Sequence, residues 1–468
     1  MSALPRTFRR AARGRLVVPS FRPRAGVRRR LAAVAITGLA ALTYPGCLRG
    51  ERADELVLWA MGSEGDAAAR LALEFEKAHP AVHVRVQTIP WSAAHEKLLT
   101  AFVGDSMPDA FQAGNTWLPE LRELGAIEPL DARLAASTTV DRADFFPGIL
   151  DTNVIEGATW GVPWYVDTRL VFYRRDLLER AGVTEPPATW DGWRDAMSAV
   201  AERHVTGDGH AILLPMREWE VPVILALGNG AVLLRDHDRF GNFRSSEVRA
   251  AFAWYLDLFA RGLAPRASAS TSGNVYQDFA RGVFVFYVTG PWNLGEMTKR
   301  LPAELEGSWD TAPMPAPRAG EPGVSLAGGA SLVVSAKSAR KDDAWRLIEF
   351  LAAAERQVAL NAVTGDLPAS RAAWARAGLA DAPRTRAFYT QLQSLRTTPK
   401  IPEWEQIASL VARHSESMIR GEDSLDSGLD ALDADVDRVL AKRRWLLDRD
   451  AAARRPTPPT PSTEAHAP

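Results

Sequence analysis

Hydrophobic positions early in the chain switch repeatedly between two spacings. Residues 55–59 (ELVLW) read as a strand that ends at the turn Met61-Gly62-Ser63-Glu64-Gly65. Residues 66–79 carry Leu71, Phe75 and Ala78 at helical spacing, and Pro80 stops that helix. Val82, Val84 and Val86 alternate with His83, Arg85 and Gln87, which predicts a strand with one wet face. A helix over 92–103, a turn into a short strand over 107–112, and a helix over 118–124 capped by Gly125 come next. Strands alternating with helices predict an α/β lobe on a mostly parallel sheet.

The stretch from Gly161 to Tyr173 is the pivot of the pattern. Gly161 and Pro163 fix a turn and then an extended backbone. Trp164-Tyr165-Val166-Asp167 sets two aromatics beside one carboxylate, and residues 170–173 (LVFY) read as a buried strand. Aromatic faces beside an acid suit a polyhydroxylated ligand, because the ring is an apolar platform and the carboxylate accepts hydroxyl protons. Two core aromatics and a solvated Asp fit the same residues.

Further on, the pattern predicts a helix over 175–181, a helix N-capped by Thr189, a strand over 211–214 and an amphipathic helix over 248–259. A strand over 283–288 ends at Gly290-Pro291-Trp292. A Pro/Gly-rich crossing occupies 312–323, a strand containing Gly328-Gly329 lies within 325–335, and a helix covers 344–353. Residues 423–445 read as a last helix with Leu425, Leu429, Leu432, Val436 and Val439 along one side. The Asp run in it, from Asp423 through Asp437, is expected to be its solvated face. A Pro-rich tail, 446–468, is expected to be disordered.

Charge changes the picture at the N-terminus. Residues 1–30 hold ten Arg and no acid, and residues 31–47 hold no charge at all. Taking those ten from the 56 basic side chains leaves 46 against 57 acids, a net charge of −11 for the rest. An acidic body argues against nucleic-acid binding, which needs clustered cations at phosphates. Arg28-Arg29-Arg30 followed by the apolar run 31–44 reads as an export signal, too short to span a bilayer as a helix. Cys47 is the only cysteine, so no internal disulfide can form. Its place just after the apolar run resembles the lipidated Cys of bacterial lipoproteins. Gly46 fits that pattern, while Tyr44 and Pro45 depart from it. Residues 1–47 are thus expected to be a signal and lipoprotein segment.

Several chemical motifs fail on inspection. His95-Glu96 opens like a zinc-protease helix, but Leu99 stands where the second His belongs. The Asp run lacks the spacing and central Gly of a calcium loop. Gly228-Asn-Gly230 lacks the third glycine of a dinucleotide loop. No cofactor or metal is expected. The 15 tryptophans are an excess. Trp190, Trp254, Trp345 and Trp374 sit at helix starts or on helix faces and suit core packing. Trp117, Trp164, Trp219, Trp292 and Trp404 lie at strand ends or turns beside Pro, Gly or acids, where ligands are met.

Taken in order, several segments resemble one family: MPDAFQAGNTW with ELGAIEPLD, the pivot with TRLVFYRRDLLERAG, PPATWDGW, FARGVFVFYVTGPW, GGASLVVSAKSARKDDAWRLIEFL and RTTPKIPEWEQI. Over about residues 53–445 the chain resembles the extracellular solute-binding proteins of bacterial sugar ABC importers, the maltose-binding type. The resemblance implies a two-lobed α/β clamshell with discontinuous lobes and several hinge crossings. Lobe 1 would take 53–163 and 314–355, and lobe 2 would take 168–310 and 356–445. Segments 164–167 and 311–313 would be crossings.

It also implies a carbohydrate, a di- or oligosaccharide, held between the lobes and delivered to ABC permease subunits by an exported, monomeric, lipid-anchored protein without enzymatic activity. Ser63 and Glu64 follow the first strand, and Asn115, Thr116 and Trp117 form the loop after MPDAFQA. Asp167 takes the acidic hinge position. Arg217, Glu218 and Trp219 fall where the second lobe offers an acid and an aromatic, and Trp292 takes the stacking position. Trp164, Tyr165, Arg169, Gly329 and Trp404 complete the expected contacts. Ala113 stands where the maltose type has a stacking aromatic, so maltose itself does not fit well. Two rivals remain. One is the same fold with another solute: a glycerol phosphodiester, a metal chelate, or a polyamine, which would need more cleft acids than the sequence places. The other is a glycan-cleaving enzyme using Asp167 and Glu64.

Overall fold

The computed structural model describes residues 55–203, 209–266 and 274–453. Cys47 and the expected signal segment lie outside them. Two sheets organise the molecule. The six-stranded sheet runs, in spatial order, Leu367–Pro368, Val162–Asp167, Gly328–Val334, Ala110–Gly114, Glu55–Met61 and His83–Ile89. The four-stranded sheet runs Trp309–Ala312, Leu170–Arg174, Phe284–Thr289 and His210–Leu213.

The first sheet is mixed, not mostly parallel. Glu55–Met61 pairs in parallel with both of its neighbours, because helical crossovers join those strands. Gly328–Val334 runs antiparallel to Ala110–Gly114 and to Val162–Asp167, and Leu367–Pro368 is antiparallel to Val162–Asp167. Of these strands only Gly328–Val334 enters from the other half of the molecule, so no local crossover sets its direction.

The chain passes between the sheets at Thr168-Arg169, where Val162–Asp167 ends in the first sheet and Leu170–Arg174 begins in the second. It returns between Trp309–Ala312 and Gly328–Val334. It leaves a last time after Leu367–Pro368 to reach the helix Trp404–Arg420, whose Trp404, Ile407 and Val411 lie in the second-sheet core. The crossings therefore fall a few residues later than expected. Residues 356–368 also depart from the expected lobe 2. The helix Ala354–Thr364 packs on the helix Gly62–Ala78, and Leu367–Pro368 completes the first sheet.

The glycine pair in Gly328–Val334 permits a close approach at the hinge. A Cβ at Gly328 would lie 2.1 Å from the Asp167 carbonyl oxygen, and one at Gly329 would lie 2.3 Å from that of Tyr165. Only glycine lets this backbone lie against the hinge strand.

The C-terminal stretch corrects two expectations. It forms two helices, Leu425–Val439 and Ala441–Ala453, and the second carries the chain into the expected disordered tail. The Asp run is not all solvated. Asp433 is buried and accepts the Phe243 backbone N–H at 2.8 Å, and buried Asp435 accepts from His414 at 3.0 Å and from Arg413. Buried polar groups persist where they are hydrogen-bonded, and these two staple the helix to its neighbours. Among the described residues no helix is long and apolar enough to cross a membrane.

Candidate functional site

A cavity of about 530 Å³ opens between the two sheets, within the size range of small-molecule sites. It lies beyond the carboxyl ends of the parallel strands, where open α/β sheets present their ligand crevices. Glu55–Met61 ends there, Gly62 turns at φ +51°, and a helix starts at once. Ser63 and Glu64 thus occupy the first turn of a helix rather than a loop. Both line the cavity; Ser63 Oγ donates to Glu64 at 3.1 Å, and Glu64 is only 6% exposed. The positive end of the helix dipole helps to hold that carboxylate.

Ala110–Gly114 leads into a single 3-10 turn, Asn115–Trp117, and all three of its residues line the cavity. Asn115 Oδ1 accepts from Ser331 at 2.8 Å, while its Nδ2 is buried without a hydrogen-bond partner. The Trp117 ring meets Trp91 edge-on with centroids 5.7 Å apart. Trp91 was missed in the sequence, although it follows Pro90 at a strand end, the signature that singled out the other tryptophans.

Along the hinge strand alternate residues face the cavity, so Tyr165 and Asp167 line it. Trp164 does not. It is 0% exposed and packs in the first-sheet core, as the two-residue period of a strand requires. Tyr165 Oη accepts from Gln112 Nε2 at 3.0 Å, and Gln112 Oε1 accepts the Met61 N–H at 2.8 Å. Burial and the negative Glu64 hold the Tyr165 hydroxyl far above its ordinary range. Burial also pushes Asp167 up to about 6. The Arg169 guanidinium opposes this shift, while Glu220 and Glu64 add to it.

The second-sheet wall holds Arg169, Trp219, Glu220 and Trp292. Arg169 pairs with Glu220, and its guanidinium lies 5.3 Å from the Trp292 ring centroid. The Trp292 ring folds over Gly290, where a Cβ would come within 1.7 Å of it, so the GPW turn fixes the indole. The expected acid at Glu218 is replaced on the wall by Glu220, the first residue of the helix Glu220–Gly228. Glu218 sits just behind; burial pushes it up to about 7 against the pull of Arg169. Arg217 points outward to the protein surface and pairs with Glu416 at 2.6 Å.

Trp404 is likewise off the cavity. It is 0% exposed in the second-sheet core, with Trp219 resting edge-on against it at 5.4 Å. Its neighbour Glu405 reaches the cavity instead, and burial raises its pKa while Thr116 and His95 lower it. Gly329 lines the cavity as expected. Asp366, which no sequence motif marks, enters from the segment after Gly365. It is 5% exposed, its Oδ2 has no hydrogen-bond partner, and burial with the Glu64 charge pushes it up to about 7. Neither Glu405 nor Asp366 carries a local signal beyond an acid next to a Trp or a Gly. With five carboxylates on the wall, the acid shortage that counted against a polyamine does not hold.

This fold, with a solute-sized cavity between two sheets joined by three crossings, defines a two-lobed binding protein. Residues 61–358 match the model of the bacterial extracellular solute-binding protein family, and the chain belongs to that family. It is similar to the sugar-binding protein MalE from the phytopathogen Xanthomonas citri, with 44% identity, coverage of 84% of this chain and 99% of that one, and a TM-score of 0.80. The diacetylchitobiose binding protein DasA of Streptomyces coelicolor is 26% identical over 362 residues, 76% of this chain and 83% of that protein. UgpB from Mycobacterium tuberculosis, solved in complex with glycerophosphocholine, is 20% identical over 83% of this chain and 99% of that one, with a TM-score of 0.70. That last likeness shows the fold alone.

Proposed function

We propose that this protein binds a di- or oligosaccharide in the cleft and delivers it to the permease of an ABC importer. The observation that carries the reading is the meeting of four indoles (Trp91, Trp117, Trp219 and Trp292) with five carboxylates on one cavity. Indole faces cover the apolar faces of sugar rings, and carboxylates accept hydroxyl protons in strong charge-assisted hydrogen bonds. The likeness to MalE and DasA, both named for sugars or a sugar dimer, supports the same class. No bond is broken in this mechanism. The ligand bridges both lobes only when they are closed, and its differential affinity shifts the open–closed population.

Ser63, Glu64, Asn115, Thr116, Trp117, Tyr165, Asp167, Arg169, Trp219 and Trp292 are the proposed contacts, joined by Trp91, Glu220, Asp366 and Glu405. A glycerol phosphodiester is disfavoured by charge. Among the described residues Arg169 is the only cation lining the cavity, and Glu220 already neutralises it. The protein is further proposed to be exported as a monomer and anchored through a lipid on Cys47. Labelling with a fatty-acid analogue in cells, lost in Cys47→Ser, checks that point.

The decisive test is a thermal-shift screen over mono- and oligosaccharides, with glycerophosphocholine and spermidine as the competing solutes. A ligand at 100 times its Kd stabilises by about 2.7 kcal/mol, a rise of a few degrees. A shift with glycerophosphocholine or spermidine and none with any saccharide would overturn the reading.

A further inference from the structure

Three of the cleft acids, Glu64, Asp167 and Asp366, line one corner of the cavity, where the pairing of Leu367 with Val166 sets Asp366 beside Asp167. The Glu64 charge raises the cost of ionising both Asp167 and Asp366, and Asp167 raises it again for Asp366. They arrive from three separate places: a helix N-terminus, the hinge strand and the turn after Gly365. The one cation that acts on this group is Arg169, which partly offsets the shift of Asp167. It is the single cation on the cavity wall among the described residues, and it is shared with Glu220 and the Trp292 face. Asp366 is almost fully buried, yet its Oδ2 has no partner. A buried carboxylate oxygen without a donor is costly unless something else occupies it.

A neutral sugar does not resolve this corner. Each hydroxyl donates one hydrogen bond and brings no charge, so three carboxylates stay crowded in a shielded space. A primary ammonium brings three donors and a positive charge, one donor for each acid. We propose that the cleft selects an oligosaccharide carrying an unsubstituted, protonated amine, seated in the corner of Glu64, Asp167 and Asp366. The sugar rings lie along the indoles. The inference rests on the carbohydrate reading above and narrows it to amino sugars.

The test is calorimetric titration of the exported chain at pH 7.5 with three disaccharides and spermidine. The disaccharides are the glucosamine dimer, its N,N′-diacetyl form and maltose. The free-amine dimer is expected to bind about tenfold more tightly than the acetylated one, the difference between a charge-assisted and a neutral hydrogen bond. That advantage shrinks toward pH 5 as Asp366 and Asp167 take up protons, since they no longer offer charge to the amine. Asp366→Asn, checked for folding by circular dichroism, reduces the ratio of the two affinities; Asp167→Asn serves as the second variant. Equal or tighter binding of the acetylated dimer or maltose overturns the amine inference and leaves the carbohydrate reading standing. Binding of spermidine alone, or of none of the four, overturns both.

Discussion

On the first-sheet side of the cleft, Glu64, Asp167 and Asp366 crowd together, and polar atoms of Asn115 and Asp366 are left without partners. On the second-sheet side, Arg169 and Glu220 neutralise each other, and the wall offers the Trp219 and Trp292 indoles. Both walls carry indoles, since Trp91 and Trp117 stand on the first-sheet side, but the first wall crowds three carboxylates together while the second pairs Glu220 with Arg169 and, among the described residues, leaves only Glu405 Oε1 without a partner. Each lobe alone therefore offers a sugar only part of its partners, an indole pair with crowded acids on one side and an indole pair with a neutralised ion pair on the other. Full affinity then requires closure, which couples ligand binding to the conformational state that a permease reads.

The largest expected effect falls on the second-sheet wall. Trp292→Ala should weaken binding of the best saccharide by roughly 2 kcal/mol, about 30-fold or more, as read by calorimetry with circular dichroism unchanged. If that variant unfolds instead, Trp292 is a packing residue and the contrast between the walls fails. Glu64→Gln on the first-sheet wall should cost about tenfold in Kd, because a charge-assisted hydrogen bond becomes a neutral one. The same change should lower the pKa of Asp167 and Asp366, measurable by carboxyl NMR titration, since Glu64 helps to raise both.

A smaller effect concerns stability without ligand. Asp366 is pushed up to about 7, so the folded state binds its proton more tightly than the unfolded chain does. The stability it contributes is fully present below the ordinary carboxylate range and is lost as pH rises through about 7. Asp366→Asn should therefore stabilise the free protein on the order of 1 kcal/mol at pH 8, with the gain vanishing near pH 4. A melting-temperature difference independent of pH would show that the corner is not frustrated. The smallest effect is Arg217→Ala, outside the cleft in an ion pair whose arginine is exposed: below about 0.5 kcal/mol in denaturant melts, with no change in Kd.

Much of the fold was legible because its signals are local. The first strand, the helix after it, the GPW turn and the Gly328-Gly329 strand each announce themselves within about ten residues. The cleft was partly legible for the same reason: Ser63, Glu64, Trp117 and Trp292 sit at ends of elements that the hydrophobic pattern marks. The period of two along the hinge strand was also available. It separates Tyr165 and Asp167 from Trp164, and applying it would have moved Trp164 into the core. Trp404 and Glu405 could not be told apart that way, since the rotation of the helix Trp404–Arg420 depends on what it packs against.

Residue pattern alone was enough for the succession of strands and helices along the chain, the turns between them, the excess of tryptophan and the membership of a solute-binding family. Hydrophobic period, capping residues and glycine demand act over a few residues, so they survive without a structure. Packing between distant segments is what joins Asp366 to Glu64 and Asp167, turns Glu220 rather than Glu218 to the cleft, and buries Asp433 and Asp435 as staples. Those outcomes depend on how three crossings bring distant segments together, and burial and electrostatic coupling between such segments leave no mark on local spacing.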